Sequence, residues 1–319
     1  MGTDEFDLIA RYLAPLAAND AARGLADDAA VFDIPEGFHG VVSTDALVSG
    51  VHFPAHASGD VVARRALASA LSDLAAMGAT PTGCLLTWGI GPDWDDRFFT
   101  QFADAFKAGL ATYKVELWGG DTVRAPSPFI SVCVHGIGRK SALLSRSGAR
   151  AGDAVYVSGT IGDGFLGLEA FGKTTGDDRV SAYAAPVPQL VLGQALAGVA
   201  SACIDVSDGL AADLDHICRA SQLAMEIDAT AVPLSAAGAA YVQDTGHLGA
   251  LLTGGDDYQL AFTVNAENEP KLEDIGRAAN VALTRIGAVS QSAETSHGAR
   301  FVDANGAEIG FEKRGYTHF

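Results

Sequence analysis

From Ser58 to Gly78 the chain reads SGDVVARRALASALSDLAAMG, and a second apolar run, CLLTWG, starts at Cys84. The first stretch is dominated by alanine and leucine, which favour helix, and it contains no proline. It predicts a helix over residues 60–77, with Ser58 as N-cap and Gly78 as the C′ residue that ends it. The second run predicts a strand over 84–89, followed by a helix from about Trp94 to Tyr113. Strands over 115–118 and 129–137 then complete a mixed α/β layer. Upstream, residues 7–16 predict a short amphipathic helix with Phe6, Ile9 and Leu13 on one face. Strand-like runs cover 29–34 and 40–44.

The pattern restarts after Gly152-Asp153. Strands are predicted over 154–158 and 203–206, and helices over 163–171, 188–200 and 210–221. Residues 172–183 read as a polar loop, and a β-rich tail closes the chain. Basic, serine and glycine residues gather between Gly138 and Gly152, which marks a boundary. The expected fold is α/β (α+β) in two domains, residues 1–145 and 146–319, as 319 residues exceed the usual single core.

The chain carries 39 acidic against 21 basic residues, a formal charge of −18. That balance argues against nucleic acid or an anionic membrane as the main partner. It would also repel an anionic substrate unless metal ions intervene. Cys84, Cys133, Cys203 and Cys218 are far apart and form no C-x-x-C pair, so they read as reduced residues of a cytoplasmic protein. The N-terminus is acidic where a signal peptide would be basic. The most apolar stretch, 187–204, is interrupted by Pro188, Gln189 and Gln194 and cannot serve as a membrane span.

Two phosphate-binding patterns fail on context. Residues 167–174 match Walker A, but a helical pattern comes before them where a strand is needed. Residues 162–167 match G-x-G-x-x-G after a strand, yet no second strand ends in an acidic residue about 20 residues on. His52 and His56 are separated by Pro54, which breaks the helix that a metal pair would need.

Short aspartate clusters remain: Asp27-Asp28, Thr44-Asp45, Ser72-Asp73, Gly119-Gly120-Asp121-Thr122, Asp205-Val206-Ser207-Asp208-Gly209 and Gly254-Gly255-Asp256-Asp257-Tyr258. Carboxylates in tight turns are hard oxygen ligands suited to Mg²⁺ with its waters and phosphates. Singly, each cluster reads as turn material or a helix cap. Ser72-Asp73 differs, because a carboxylate near the buried side of a helix needs a cation or hydrogen bonds. Thr44-Asp45 and Asp121-Thr122 read as strand ends, where α/β proteins place ligands.

These clusters, with Leu25-Ala26, Gly50-Val51-His52-Phe53, the run from Leu71 to Ala79 and the terminal Gly315-Tyr316-Thr317-His318-Phe319, resemble the thiamine-monophosphate kinases. The match runs in order from about Phe6 to Phe319. The resemblance implies an enzyme that phosphorylates thiamine monophosphate with ATP to thiamine diphosphate, the last step in making that cofactor. It implies several Mg²⁺ ions and a cytoplasmic homodimer whose N-terminal domains pair their sheets. The N-terminal domain would hold ATP and Mg²⁺, and residues 146–319 would close the active site over nucleotide bound between the two. By the same resemblance Asp28, Ser43, Thr44, Asp45, Asp73, Asp121, Asp205 and Asp208 match metal-binding positions. Gly120, Asp121, Arg146 and Ser207 match ATP contacts, and Asp45, Asp121 and Arg146 carry the catalytic expectation. His52, Asp256 and Tyr316 match the acceptor side.

The chain departs from the family's Gly-x-Gly-Asp-Asp at Gly24-Leu25-Ala26-Asp27-Asp28. If that second glycine needs a positive φ, Ala26 is strained. Gln259 stands where glutamate is common. Selenophosphate synthetases carry a reactive Cys or selenocysteine near the N-terminus, and no cysteine precedes Cys84. The hydrogenase maturation protein ends in cysteine, whereas this chain ends in His318-Phe319. Aminoimidazole ribonucleotide synthetase does not share the motifs as a set. A nucleotide sensor that has lost its chemistry would not need every cluster intact, and a Ca²⁺ protein would carry a D-x-D-x-D-G loop.

Overall fold

A computed structural model describes residues 5–173, 179–291 and 297–318. Two compact units form. One runs to Leu74 and resumes over Thr80–Lys140, and the other takes Ala75–Ala79 and the chain from Ser141 onward.

The first unit opens with α1 (Glu5–Leu8), extended by a π turn over Ile9–Leu13 and a 3₁₀ turn over Ala14–Leu16. Then follow β1 (Phe38–Val48), α2 (Gly59–Ala76), β2 (Thr80–Ile90), α3 (Asp96–Tyr113), β3 (Glu116–Arg124) and β4 (Phe129–Arg139). The sheet order is β1-β4-β2-β3. β4 pairs antiparallel with β1 and β2, while β2 and β3 are parallel, as a crossover through a helix requires. Asp95 starts α3 by accepting the Phe98 N–H at 2.9 Å. Gly59 lets α2 and α3 touch, since a Cβ there would lie 2.1 Å from the Phe98 carbonyl oxygen. Trp88 of β2 meets Phe99 and Phe102 of α3, and Phe102 stacks on Phe106. Burial of each such ring contributes about 1.5–3 kcal/mol.

The second unit runs β5 (Ala154–Ser158), α4 (Asp163–Ala170), α5 (Val180–Ala184), α6 (Leu190–Leu196), β6 (Ala202–Val206), α7 (Leu210–Ser221) and β7 (Ala224–Asp228). It continues with α8 (Ala236–Thr245), α9 (Leu248–Thr253), β8 (Gln259–Val264), α10 (Leu272–Ala279), β9 (Leu283–Ser290) and β10 (Ala299–Val302). The sheet order is β10-β7-β9-β5-β8-β6, antiparallel except for the β10–β7 pair. Val155, Val157, Ile204, Val206, Leu214, Ile217 and Phe301 share its buried core.

Several expectations need correction. Residues 29–34 form no strand. Phe32 lies against the sheet instead, stacked on Trp118 at 4.4 Å, and Ile34 lies next to Gly40 of β1. Phe6 is 73% exposed, and the buried side of the N-terminal helix is Leu8, Tyr12 and Leu13. The helix expected over 188–200 is limited to Leu190–Leu196, and the tail expected to be β-rich contains α8, α9 and α10. Asp121-Thr122 does not end its strand, because β3 continues to Arg124, and β1 likewise continues past Asp45 to Val48.

The rejected phosphate patterns stay rejected. Gly167 lies inside α4, Gly172 follows its end at φ 75°, and Lys173 pairs with Glu169 at 3.3 Å. Thr174 and the acidic residues after it lie outside the described residues. β5 leads into Gly162 but is antiparallel to both neighbours, unlike the first strand of a dinucleotide fold.

Candidate active site

In the first unit, the sheet register fixes where the carboxylates stand. Asp45 pairs with Val132, Val132 with Leu86, and Leu86 with Gly120, so Asp45 and Gly120 occupy one row on opposite edges. Three inter-strand steps separate those edges by roughly 14 Å. Side chains of paired residues share a face, so Ser43, Asp45 and Leu47 project with Val132 and Val134 toward the buried side. Thr44 and Asp121 project from the other face.

Ser43 donates its hydroxyl to Asp73 of α2 at 2.5 Å. The carboxylate inside the apolar helix is thus met by a strand hydroxyl, and only half buried. Thr44 Oγ1 lies 3.4 Å from Ser131 Oγ. Asp121 accepts the N–H of Thr122 at 2.8 Å. Gly120 has a packing reason to be glycine, because a Cβ there would sit 1.7 Å from the Leu86 carbonyl oxygen.

The loop before Asp28 resolves the question raised by Ala26. Ala26 has φ −95°, within the right-handed region. Positive φ falls instead on Arg23, Gly24 and Leu25, at 52°, 68° and 56°. Arg23 pairs with Asp27, while Asp28 is exposed. His52 is locked by its ring: Nδ1 accepts the Val48 N–H at 2.9 Å, and its carbonyl accepts from the buried Arg65 at 3.3 Å. Among the described residues no three His, Cys, Asp or Glu side chains form a metal-binding group.

The second unit gathers its residues far more tightly. β6 delivers Asp205, 4% exposed, and the chain turns through Ser207, Asp208 and Gly209 into α7. Gly209 sits at φ 119°, and a Cβ there would lie 2.7 Å from the Thr253 backbone. The buried Asp213, in the first turn of α7, accepts N–H groups from Ser207 (3.1 Å) and Asp208 (3.2 Å). The loop after α9 docks on the same turn. Asp256 donates its N–H to the Ser207 carbonyl at 2.9 Å, and Tyr258 donates to Val206 at 2.8 Å. The C-terminal segment joins from another side, as Tyr316 donates its N–H to the Asp208 carbonyl at 3.0 Å.

Electrostatics follow from that crowding. Burial pushes the Asp208 carboxyl above its ordinary value and Asp256 adds to the rise, while His216, His318 and Arg146 oppose it. Burial raises Asp213 well above the ordinary range, with Asp205 and Asp208 contributing. Burial lowers His216, assisted by Arg219 and Arg146. Arg146 itself is exposed, and its carbonyl accepts the Ser221 hydroxyl at 3.0 Å.

The structure therefore brings Arg146, Asp205, Ser207, Asp208, Asp256 and Tyr316 to one place in the second unit. In the first it joins Ser43 to Asp73, sets Asp45 on the same sheet face as Ser43, and sets Thr44 and Asp121 on the other. Sequence reasoning missed Asp213, His216 and the clasp that holds the tail. In that clasp Arg314 bonds both oxygens of Asp215, at 2.5 and 3.0 Å, and the Ala299 carbonyl at 2.6 Å. Asp213 carried one readable signal, an acid in the first turn of a helix. Arg314 and Asp215, 99 residues apart, carried none.

The donors fit Mg²⁺. They are hard carboxylate and hydroxyl oxygens in ones and twos, the share that this ion takes from protein while phosphates and water complete its shell.

Two family descriptions match: "AIR synthase related protein, N-terminal domain" over residues 26–138, and its C-terminal domain over 150–299. The chain is 38% identical to the thiamine-monophosphate kinase of Salmonella typhimurium, across 100% of this chain and 99% of that one. The chain belongs to the thiamine-monophosphate kinase family. Among solved structures, the thiamine-monophosphate kinase from Stenotrophomonas maltophilia superposes with a TM-score of 0.83 at 34% identity, covering 94% of this chain and 97% of that one. AaThiL, solved in complex with AMPPCP and TMP, superposes at 0.78 with 28% identity, covering 99% and 97%. A thiamine-monophosphate kinase thus shares the fold along nearly the full chain, including both carboxylate regions described above.

Proposed function

We propose that this protein transfers a phosphoryl group from ATP to thiamine monophosphate, making thiamine diphosphate. The observation that carries this reading is the knot at Asp208. There two aspartate loops and the C-terminal segment converge beside Arg146, in a chain related end to end to thiamine-monophosphate kinases.

The acceptor, a phosphate monoester, is largely ionised near neutral pH and needs no strong general base. What impedes reaction is repulsion between two anions, so positioning and charge neutralisation do the work. Asp28, Ser43, Thr44, Asp45, Asp73 and Asp121 in the first unit, with Asp205 and Asp208 in the second, would hold Mg²⁺. Bound there, Mg²⁺ supplies neutralisation of phosphate charge. Arg146 and the backbone at Gly120 and Ser207 contact the nucleotide, and Arg146 adds the protein's own cation. His52 is held with Nδ1 as acceptor, so when neutral its Nε2 carries the proton. His52, Asp256 and Tyr316 would serve the acceptor side.

On this reading residues 1–145 hold ATP and metal, and 146–319 complete the active site. Partner choice follows from surface. The face of the first sheet bearing Thr44 and Asp121 also exposes Val42 (63%) and Val123 (39%), with Phe32 and Ile34 beside it. Apolar exposure of that kind suits a sheet-to-sheet homodimer. Four free cysteines fit the cytoplasm. Among the described residues no helix is long and apolar enough to cross a membrane.

The test is thiamine diphosphate formation from ATP, Mg²⁺ and thiamine monophosphate, with free thiamine as a parallel acceptor. Product from the monophosphate alone is expected. Product from neither acceptor, with ATP still bound, would overturn the reading.

A further inference from the structure

Asp256 and Asp257 are adjacent and chemically identical, yet the fold sends them to opposite tasks. Asp256 joins the knot: its N–H bonds to Ser207, and its Oδ1 accepts the Tyr258 hydroxyl at 3.1 Å. Asp257 turns away into the protein, 8% exposed. Its two oxygens accept the N–H groups of Gly162 and Gly164, at 2.8 and 2.9 Å. These are free donors at the start of α4, within the glycine pattern that elsewhere receives a phosphate. Here an internal carboxylate fills that position.

The loop it secures is strained. Asp256 and Tyr258 hold φ of 64° and 51°, which non-glycine residues seldom adopt, and Gly255 holds 72°. Such conformations cost about 1–3 kcal/mol each and persist only where neighbours over-determine them. Gly164 is part of the arrangement, because a Cβ there would lie 2.3 Å from the Asp256 carbonyl oxygen.

We propose that Asp257 is a positioning residue, which holds the strained loop against the start of α4 and so fixes Asp256 for the acceptor. The proposal rests on Asp256 contacting thiamine monophosphate, as argued above. Asparagine at 257 would present one oxygen and one N–H₂ to two backbone donors, so one bond is lost and two donors oppose. Gly164→Ala disturbs the same contact while keeping aspartate at 257, because its Cβ would press on the Asp256 carbonyl and Cβ.

The experiment compares wild type, Asp256→Asn, Asp257→Asn and Gly164→Ala by steady-state kinetics and by amide hydrogen exchange. Asp257→Asn and Gly164→Ala should each raise KM for thiamine monophosphate about tenfold, as should Asp256→Asn, with KM for ATP nearly unchanged. Exchange at residues 254–258 should accelerate in both. A wild-type KM in Asp257→Asn, or a fall in Tm and kcat with KM unchanged, would overturn the proposal. If wild type itself fails to phosphorylate thiamine monophosphate, the functional reading falls. The exchange data then decide the positioning claim alone, and unaltered exchange at 254–258 in Asp257→Asn would overturn it.

Discussion

The two units hold their carboxylates in opposite ways. In the first, Asp45 and Asp121 are stations on a sheet, edges apart and on different faces. In the second, Asp205, Asp208, Asp213 and Asp256 are gathered by backbone hydrogen bonds from three segments, with Asp205 and Asp213 buried and Asp208 and Asp256 half-buried. A sheet places ligands by register, which is insensitive to what one side chain does. A knot places them by mutual contact, so disturbing one member disturbs the rest. Loss of an oxygen donor should therefore act locally in the first unit and spread in the second.

The largest expected effect is at the knot. Asp208→Asn should cut kcat by on the order of a thousandfold, the scale seen when a preorganised charged group is removed. Turnover within tenfold of wild type would break the comparison from the side of the second unit. Asp45→Asn and Asp121→Asn should each lower kcat roughly a hundredfold with unchanged circular dichroism, because the register remains. If either variant loses its fold, those stations are structural.

Next in size is the tail. Arg314→Ala leaves the buried Asp215 to the longer 4.0 Å contact of Arg219 and the Ala299 N–H, a change at or below the low end of the roughly 3–5 kcal/mol lost when a buried pair is broken. Tm should fall, and KM for thiamine monophosphate should rise as the segment carrying Tyr316 loosens. An unchanged melting curve would show that the clasp is ornamental. At the small end stands Lys173→Ala. Its exposed pair with Glu169 is worth about 0–1 kcal/mol, so ATP binding and Tm should stay put. A marked loss of ATP affinity would restore the Walker reading.

Asp257 adds a pH signature. Burial raises its carboxyl from 3.8 to about 7, against the two N–H bonds that favour ionisation. A raised acid binds its proton more tightly in the folded state, so its contribution to stability is full below about pH 4 and is lost as pH rises toward 7. Asp257→Asn should flatten that part of the pH–Tm curve, and an unchanged slope would show that the decline comes from elsewhere.

Much of this is legible in the sequence alone. The alanine-rich helix needed only local propensity and a glycine stop, and α2 ends two residues before Gly78. Strand β5 and helix α7 also fell where their apolar periods put them. The misreadings have a common cause. Phe32 and Ile34 look like part of a strand, but they lie beside the sheet, Phe32 on Trp118 and Ile34 next to Gly40, and nothing local distinguishes the two. Asp121 looked terminal because Gly119-Gly120 resembles a turn. In the fold Gly119 marks a shift of register and Gly120 a close strand contact, and β3 runs on.

The site was legible as chemistry and illegible as geometry. Clustered aspartates could be seen, but not which would meet, since Asp213 to Ser207 or Tyr316 to Asp208 depends on packing across distant segments. The divergence of Asp256 from Asp257 is the sharpest case. Identical residues in one motif are sorted only by the loop's positive φ values.

The central claim is that both carboxylate regions serve one reaction. It is tested most directly by kcat for Asp45→Asn, Asp208→Asn and the double variant, measured with ATP and thiamine monophosphate. Groups acting as one unit are grossly non-additive, so the double variant should be little worse than Asp208→Asn alone. Losses that multiply, or Asp45→Asn turning over normally, would contradict the account.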